Sequence, residues 1–452
     1  MTKTIRIKKG LSINLKGKAP LDNLPALKKS SVYGLVPDDY QGIIPKVLVK
    51  VGDVVKAGEP LFCHKKYPEM LFTSPVSGEV TAVERGEKRK LLSIQVAPSA
   101  EMEYKEYAVL PSFGDRKALL NLLLSSGMWS FFKQRPYDII ANPEELPRDI
   151  FVTAVLTAPL APDVDYLLKG AENDLTTALQ ALTSLTDGTV YLGVQKNSRL
   201  SQISVKGVEV VLVEGPHPAG CVGTQINYIR PINKGEVVWT LKVTDLLIIG
   251  RFLRTGKVDY TRTIAVTGSD AALRGYVSLL PGCRVEEVFG ANLTVKKEHE
   301  RIINGDVLTG VQLSQERPFA SLNIDQITVI PEGDDIDEMF GWIAPRFNQF
   351  SISRLYMSWL QKGKEYALDA RVKGGERAMI MSNEFHRVFP LDIYPEQLLK
   401  AIIAFDIDKM EALGIYEVAP EDFALCEFVD SSKQELQYIV RKGLDLLYKE
   451  MN

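Results

Sequence analysis

The chain has 452 residues, 45% of them hydrophobic and 25% charged, the balance of a globular protein large enough for about three domains, which excludes a disordered or fibrous chain. The formal charge is −3, yet the first hundred residues carry 17 Lys or Arg against 9 Asp or Glu. A basic leading part on an otherwise acidic chain suits an acidic partner or a membrane surface. Nucleic acid is the rival partner, but no recognition motif for it occurs, and the cluster Arg85, Lys88, Arg89 and Lys90 has no interleaved aromatic residues.

No apolar run approaches the roughly 18 residues needed to cross a bilayer. The start, MTKTIRIKKG, lacks the apolar core of a signal peptide, so a cytoplasmic location is expected. Cys63, Cys221, Cys283 and Cys426 are scattered, as are His64, His217, His299 and His386, and no local metal or redox signature forms. No metal site is expected.

Taken in chain order, residues 1–100 read as a barrel-sandwich of the lipoyl or biotinyl kind. Val47, Val49 and Val51, then Leu92, Ile94 and Val96, alternate with polar neighbours as half-buried strands do, and Gly52, Gly58 and Gly78 supply turns. The hairpin tip where a carrier domain holds its single modifiable lysine reads CHKKYPEM instead. Lys65 and Lys66 are adjacent there, so an unmodified carrier-like domain is expected. An acyl or biotin carrier remains an alternative.

Residues 101–256 alternate helical and apolar-strand patterns, the signature of a Rossmann-like α/β domain. Leu119, Leu120, Leu123 and Leu124 predict a helix over 116–129. The Val-rich runs 150–156, 189–194 and 208–213 predict buried parallel strands. Thr244 is placed as the cap of a helix that Gly256 ends. No GxGxxG or GxxxxGK[ST] follows any strand, so a bound dinucleotide is not expected. The loop GPHPAG, from Gly215 through His217 and Pro218 to Gly220, stands at a strand end where ligands bind. It is either a ligand loop or a rigid domain-joining loop.

Residues 257–330 read as a compact β-grasp domain with a crossing helix beginning near Val285, and 331–378 as a polar connecting region. Residues 379–452 form a helical domain. There Pro395 starts a helix with an apolar stripe of Leu398, Leu399, Ile402 and Ile403, Gly414 stops the pattern, and Ser432 and Glu435 predict a capping box.

The strings TSPVSGEV, RGEKR, GPHPAG, RIINGDVLTG, GERAM, VFPLDIYPEQLL and EDFALCEF occur in this order along essentially the whole chain. With them the chain resembles the A-subunit family of the sodium-translocating NADH:quinone oxidoreductase. The resemblance implies a peripheral protein on the cytoplasmic face of the bacterial inner membrane, in a six-subunit pump that couples NADH oxidation and quinone reduction to sodium export. It implies no catalytic residue and no tightly bound redox cofactor in this chain, quinone as substrate, and NAD, flavins and an iron–sulfur cluster in partner subunits. It also implies contact with the pump's membrane-embedded B-subunit, together with a soluble-ligand-binding type of β-grasp domain. A free-standing flavin- or nucleotide-binding oxidoreductase is the alternative.

Two departures stand out. The family's GTHxHF reads Gly223, Thr224, Gln225, Ile226, Asn227, Tyr228, so both histidines are replaced. Its CTFVCPGK reads from Cys426 to Lys433 with Asp430 in place of the second cysteine. A quinone ring needs an apolar, partly aromatic surface with one or two donors. Trp129, Phe132, Arg135 and His217 are the expected quinone contacts, though the first three equally suit a helix end in the core. Lys65, Lys66, Arg85 and Arg89 are the expected edge toward the membrane-embedded partner.

Overall fold

The computed structural model describes residues 3–295, 298–336, 347–352, 357–361 and 363–451. Its centre is built from the Val-rich runs. Ile150–Ala154, Val190–Gln195 and Val208–Glu214 lie side by side in parallel, and Val238–Lys242 joins Ile150–Ala154 on the other side. Every residue of Ile150–Ala154 is buried, as expected of a central strand covered on both faces. The helices Glu172–Thr183 and Val243–Thr255 pack so closely that a Cβ on Gly250 would lie 1.9 Å from the Asp174 carbonyl oxygen.

Several expectations change here. The helix expected over 116–129 runs only over Arg116–Ser125, because Gly127 takes φ 83° and Met128–Phe131 turn into the core as a separate short helix. Its start is fixed by Asp115, whose side chain accepts from the Ala118 N–H at 3.0 Å. Thr244 is not a cap: Val243–Thr255 begins one residue earlier with Lys242 as its flanking residue, and Thr244 is buried in the first turn. Gly256 ends that helix at φ 68°.

Within residues 1–100 the leading strand lies outside the barrel sheets. Lys3–Arg6 adds to the central sheet in parallel with Val208–Glu214, pairing Ile5 with Val213, because Ile5 and Ile7 are apolar and bury against Val211 and Val213. Residues 7–32 then run across the other regions as a strap: the Gly17 carbonyl accepts from Gly268 N–H at 2.9 Å, Lys16 N–H donates to Tyr366, and Leu24 N–H donates to Tyr276.

The barrel itself has a four-stranded sheet, ordered Tyr33–Leu35, Leu91–Pro98, Gly78–Arg85, Val54–Val55, and a three-stranded sheet of Pro45–Val47, Pro60–His64 and Leu71–Thr73. Phe62 stacks on Phe72 at 4.6 Å between them. Ile94 and Val96 face this core, but Leu92 points outward beside a register shift between Glu84 and Arg85, and Val51 lies on an exposed turn.

In the third region Arg262–Thr267 pairs in parallel with Gln326–Pro331 at the middle of a five-stranded sheet whose other pairings are antiparallel, with the short helix Val285–Phe289 between its strands in sequence. Helices Pro395–Ile403, Ile407–Ala412, Ala424–Val429 and Leu436–Met451 form a second core around Leu398, Leu399, Phe423 and Leu444. Ile403 is half-exposed rather than part of the buried stripe. The capping box does not form, since the Ser432 hydroxyl donates to the Ala378 carbonyl and Asp430 accepts from the Ser432 and Gln434 N–H groups. Of the connecting region, residues 337–346, 353–356 and 362 lie outside the described residues. Among the described residues no helix is long and apolar enough to cross a membrane.

Candidate functional site: the carboxyl edge of the parallel sheet

In an open parallel sheet, ligands bind outside the carboxyl ends of the strands where the chain reverses its order, with phosphates at helix N-termini. Here the chain steps from Ile150–Ala154 outward to Val190–Gln195 and Val208–Glu214, then returns to Val238–Lys242 on the opposite side. Of the helices that follow strands of this sheet, Val222–Ile229 and Val243–Thr255 have no side-chain cap of their own.

Both starts face carboxylates supplied from other regions of the chain. At the first, a Cβ on Gly223 would lie 2.6 Å from both carboxylate oxygens of Asp422, from the helical region, and 2.5 Å from Arg135 Nη1. Arg135 is fully buried and donates to Asp422 at 2.8 Å and to Glu421 at 2.7 Å. Burial opposes its charge, but Asp422 and Glu421 outweigh this and strengthen its hold on the proton. At the second start, Asp325 pairs with Lys242 at 3.0 Å, and Arg262 pairs with Asp245 of the first turn at 2.5 Å. Burial pushes the Asp325 carboxyl up, while Lys242 and Arg262 more than reverse this and hold it below the usual carboxylate range. These two helix starts thus face the protein's own carboxylates, paired with Arg135 at the first and with Lys242 and Arg262 at the second.

The GPHPAG loop at the same edge is tied inward. Gly215 takes φ 145°, with its α-carbon so close to Ile7 that a Cβ would lie 2.5 Å from the Ile7 carbonyl oxygen. Gly220 N–H donates to Thr157 Oγ1 at 2.8 Å and its carbonyl accepts from Thr153 at 3.2 Å. Ala219 and Cys221 N–H donate to Pro216 and Pro218 carbonyls, and Leu11 N–H donates to the His217 carbonyl. These pairings fix the loop rigidly between the α/β strands and the amino-terminal strap. His217 Nδ1 lies 3.1 Å from Thr157 Oγ1, while Nε2 is buried with no partner among the described residues. Burial pushes this imidazole down to about 4, against the opposing pull of Asp306.

The expected quinone contacts are not brought together. Trp129 and Phe132 stack at 4.6 Å, Trp239 packs edge-on at 5.0 Å from Trp129, and the Trp129 indole N–H donates to the Ala141 carbonyl at 2.7 Å. All three rings are buried in the main core. Arg135 points away into its carboxylates, and His217 belongs to the loop. The aromatic cluster is core because the early end of the helix at Ser125 drives these rings under the sheet.

The two replaced histidines show what their successors do. Gln225 Nε2 donates to Thr153 Oγ1 at 2.9 Å and to the Ala219 carbonyl at 3.1 Å, and Asn227 Nδ2 donates to Glu417 Oε2 at 2.7 Å. One amide fixes the loop and the other ties the α/β region to the helical one. Cys426 is buried and its thiol is pushed well up by that burial.

In the barrel, His64 organises the hairpin tip. Its Nδ1 accepts from the Lys66 and Tyr67 N–H groups at 2.9 and 3.2 Å, so the turn is held by a neutral imidazole, which burial also favours. Lys65 is exposed, and the Lys66 ammonium lies 5.3 Å from the Tyr67 ring. Arg85 and Arg89 sit together on a different hairpin, where Arg85 Nη1 donates to the Arg89 carbonyl at 3.1 Å.

Sequence reasoning gave no sign of an apolar pocket of about 250 Å³ between the strap, the barrel and the third region, lined by Leu27, Tyr33, Val76, Leu279, Leu280 and Val288 with Lys28 and Lys29 at its lip. Its walls come from three separate stretches of sequence, so no local string announces it. Among the described residues no group of three or more His, Cys, Asp or Glu is arranged to hold a metal.

Comparison with known proteins covers nearly the whole chain. Residues 5–99 match the NqrA N-terminal barrel-sandwich hybrid domain, residues 114–258 the NqrA second alpha/beta domain and residues 263–315 the NQRA C-terminal domain. The A-subunit of the Na(+)-translocating NADH-quinone reductase from Neisseria meningitidis serogroup B is 35% identical, covering 99% of this chain and 100% of the relative. Its counterpart from Rhodopirellula baltica is 34% identical over 98% of each chain, and that from Vibrio atlanticus is 34% identical over 99% of this chain and 100% of its own.

Proposed function

The chain belongs to the NqrA family, the A-subunits of the Na(+)-translocating NADH-quinone reductase, and from that premise we propose that it is the peripheral, cofactor-free scaffold of the complex. As a member of that family it is a subunit of an oxidoreductase that works with NAD and quinone and moves sodium, alongside other subunits. The observation that carries the proposal is the pair of uncapped helix starts in the α/β region, each with a carboxylate from elsewhere in the chain beside it, Asp422 against Gly223 and Asp325 paired with Lys242. A Rossmann-like domain closed in this way is a structural hub. NAD, flavin and iron–sulfur chemistry then belongs to partner subunits on and in the membrane, with this chain on the cytoplasmic face against the membrane-embedded B-subunit.

Quinone meets this protein at the apolar pocket. A cavity of about 250 Å³ suits one substituted ring, since an engineered apolar cavity of roughly 150 Å³ takes up benzene. The Tyr33 hydroxyl and the Lys28 and Lys29 ammonium groups are the donors nearest to hand for a ring carbonyl. The third region, of β-grasp soluble-ligand-binding type in this reading, supplies the far wall through Leu279, Leu280 and Val288. Titration of the purified chain with a short-chain quinone, followed by calorimetry, tests this. The expected result is saturable binding that weakens at least tenfold in Leu280→Phe, whose ring projects from the wall into the space the quinone would take. Binding unaffected by Leu280→Phe would move the quinone contact to another member of the complex.

A further inference from the structure

Part of the amino-terminal region's positive charge stands on one rim of the barrel, interleaved with exposed apolar side chains. In the extended segment that includes the edge strand Pro45–Val47, Ile44, Lys46, Leu48 and Lys50 alternate outward while Pro45, Val47 and Val49 are half-buried. The chain then turns to Val54–Val55, the edge strand of the other barrel sheet. Along this rim Ile44 is 60% exposed, Leu48 45%, Val51 62% and Val54 77%. Lys65 stands beside it, its N–H donating to the Ile44 carbonyl. Lys46, Lys50 and Lys65 have no carboxylate within ion-pair distance among the described residues, unlike Lys56 with Glu103 and Lys90 with Asp38. The acidic groups around the rim are Asp53, which accepts from the Lys50 N–H, Glu69, and Glu79 opposite Val54.

Lysines alone on an edge strand deter pairing with another chain, but that role does not call for four exposed apolar side chains beside them on the same rim. From this alternation we propose that the rim from Ile44 to Val54 lies on an anionic lipid surface. The apolar side chains enter the headgroup boundary while Lys46, Lys50 and Lys65 meet lipid phosphates. The proposal rests on the peripheral placement above and gives it a contact face.

The test is sedimentation of the full chain with vesicles of phosphatidylcholine alone and of phosphatidylcholine mixed with phosphatidylglycerol. Binding to the anionic vesicles only is expected, lost at high salt, with each of Lys46→Gln and Lys50→Gln lowering the partition roughly fivefold. Leu48→Ser and Val54→Ser lower it further, and circular dichroism of each variant verifies its fold. Absence of binding to anionic vesicles at low salt, or binding insensitive to all four substitutions, overturns the proposal and leaves the rim as a protein-contacting face. Either failure leaves the quinone and nucleotide measurements untouched, so it is distinguishable from failure of the scaffold reading.

Discussion

Arg135 is the residue whose surroundings most change its meaning. It is fully buried between Asp422 and Glu421, and removing one partner of a buried pair strands the other charge at a cost of about 3–5 kcal/mol. Arg135→Met is therefore expected to lower the unfolding free energy by about that amount in urea titrations, and adding Asp422→Leu to recover at least half of the loss. A single-variant loss below ~1 kcal/mol would contradict the joint.

His217 gives a pH dependence with a definite sign. Its folded-state pKa is depressed from 6.5 to about 4 by burial, so the unfolded chain takes up a proton before the folded one does. The contribution is fully favourable above about pH 6.5 and is lost as pH falls toward 4, at most about 1.4 kcal/mol per unit. His64 is depressed for the same first cause and acts in the same direction. Urea midpoints measured between pH 7.5 and 4.5 are expected to fall with acidification, and less steeply in His217→Gln. Equal slopes in the two proteins would remove His217 from the account.

At the level of elements, the helix Val222–Ile229 is held by what presses on its first turn. Gly223 is needed for closeness, since a Cβ there would collide with both Asp422 and Arg135. Gly223→Ala is expected to cost about 1–3 kcal/mol and to speed amide exchange along 222–229, whereas the same substitution at Gly375, where nothing lies within 4 Å of a Cβ and φ is not left-handed, leaves those amides unchanged. Unaltered exchange in Gly223→Ala would show that the helix does not need the plug.

The strands of the central sheet were legible because their burial on both faces demands unbroken Val, Ile and Leu runs. Ends were less so: Gly127 cuts one helix short, and the start at Val243 is set by tertiary partners and not by the Thr244 hydroxyl. The strand Lys3–Arg6 was invisible, being four residues long and paired with residues some two hundred positions away. The Trp129 and Phe132 cluster misled for a related reason. An aromatic string that ends in an arginine has the composition of a ring-binding site, but only the fold reveals that Trp239 has closed over it. The Asp422 plug lies 199 positions beyond Gly223, with no local pattern to link them.

For the whole molecule, the regions are fastened to one another by buried and half-buried charges and by the amino-terminal strap. Arg135 joins the α/β region to the helical one, Arg262 with Asp245 and Asp325 joins it to the third region, and Arg317 with Asp39 joins the third region to the barrel. Two of these joints, at Arg135 and at Arg262, stand at helix starts of the α/β region, and on the reading proposed above they occupy positions where such a sheet would hold a nucleotide. Calorimetric titration of the purified full chain with NADH tests that reading most directly. The account predicts no saturable heat up to millimolar NADH, and one molecule bound per chain at micromolar affinity would contradict it.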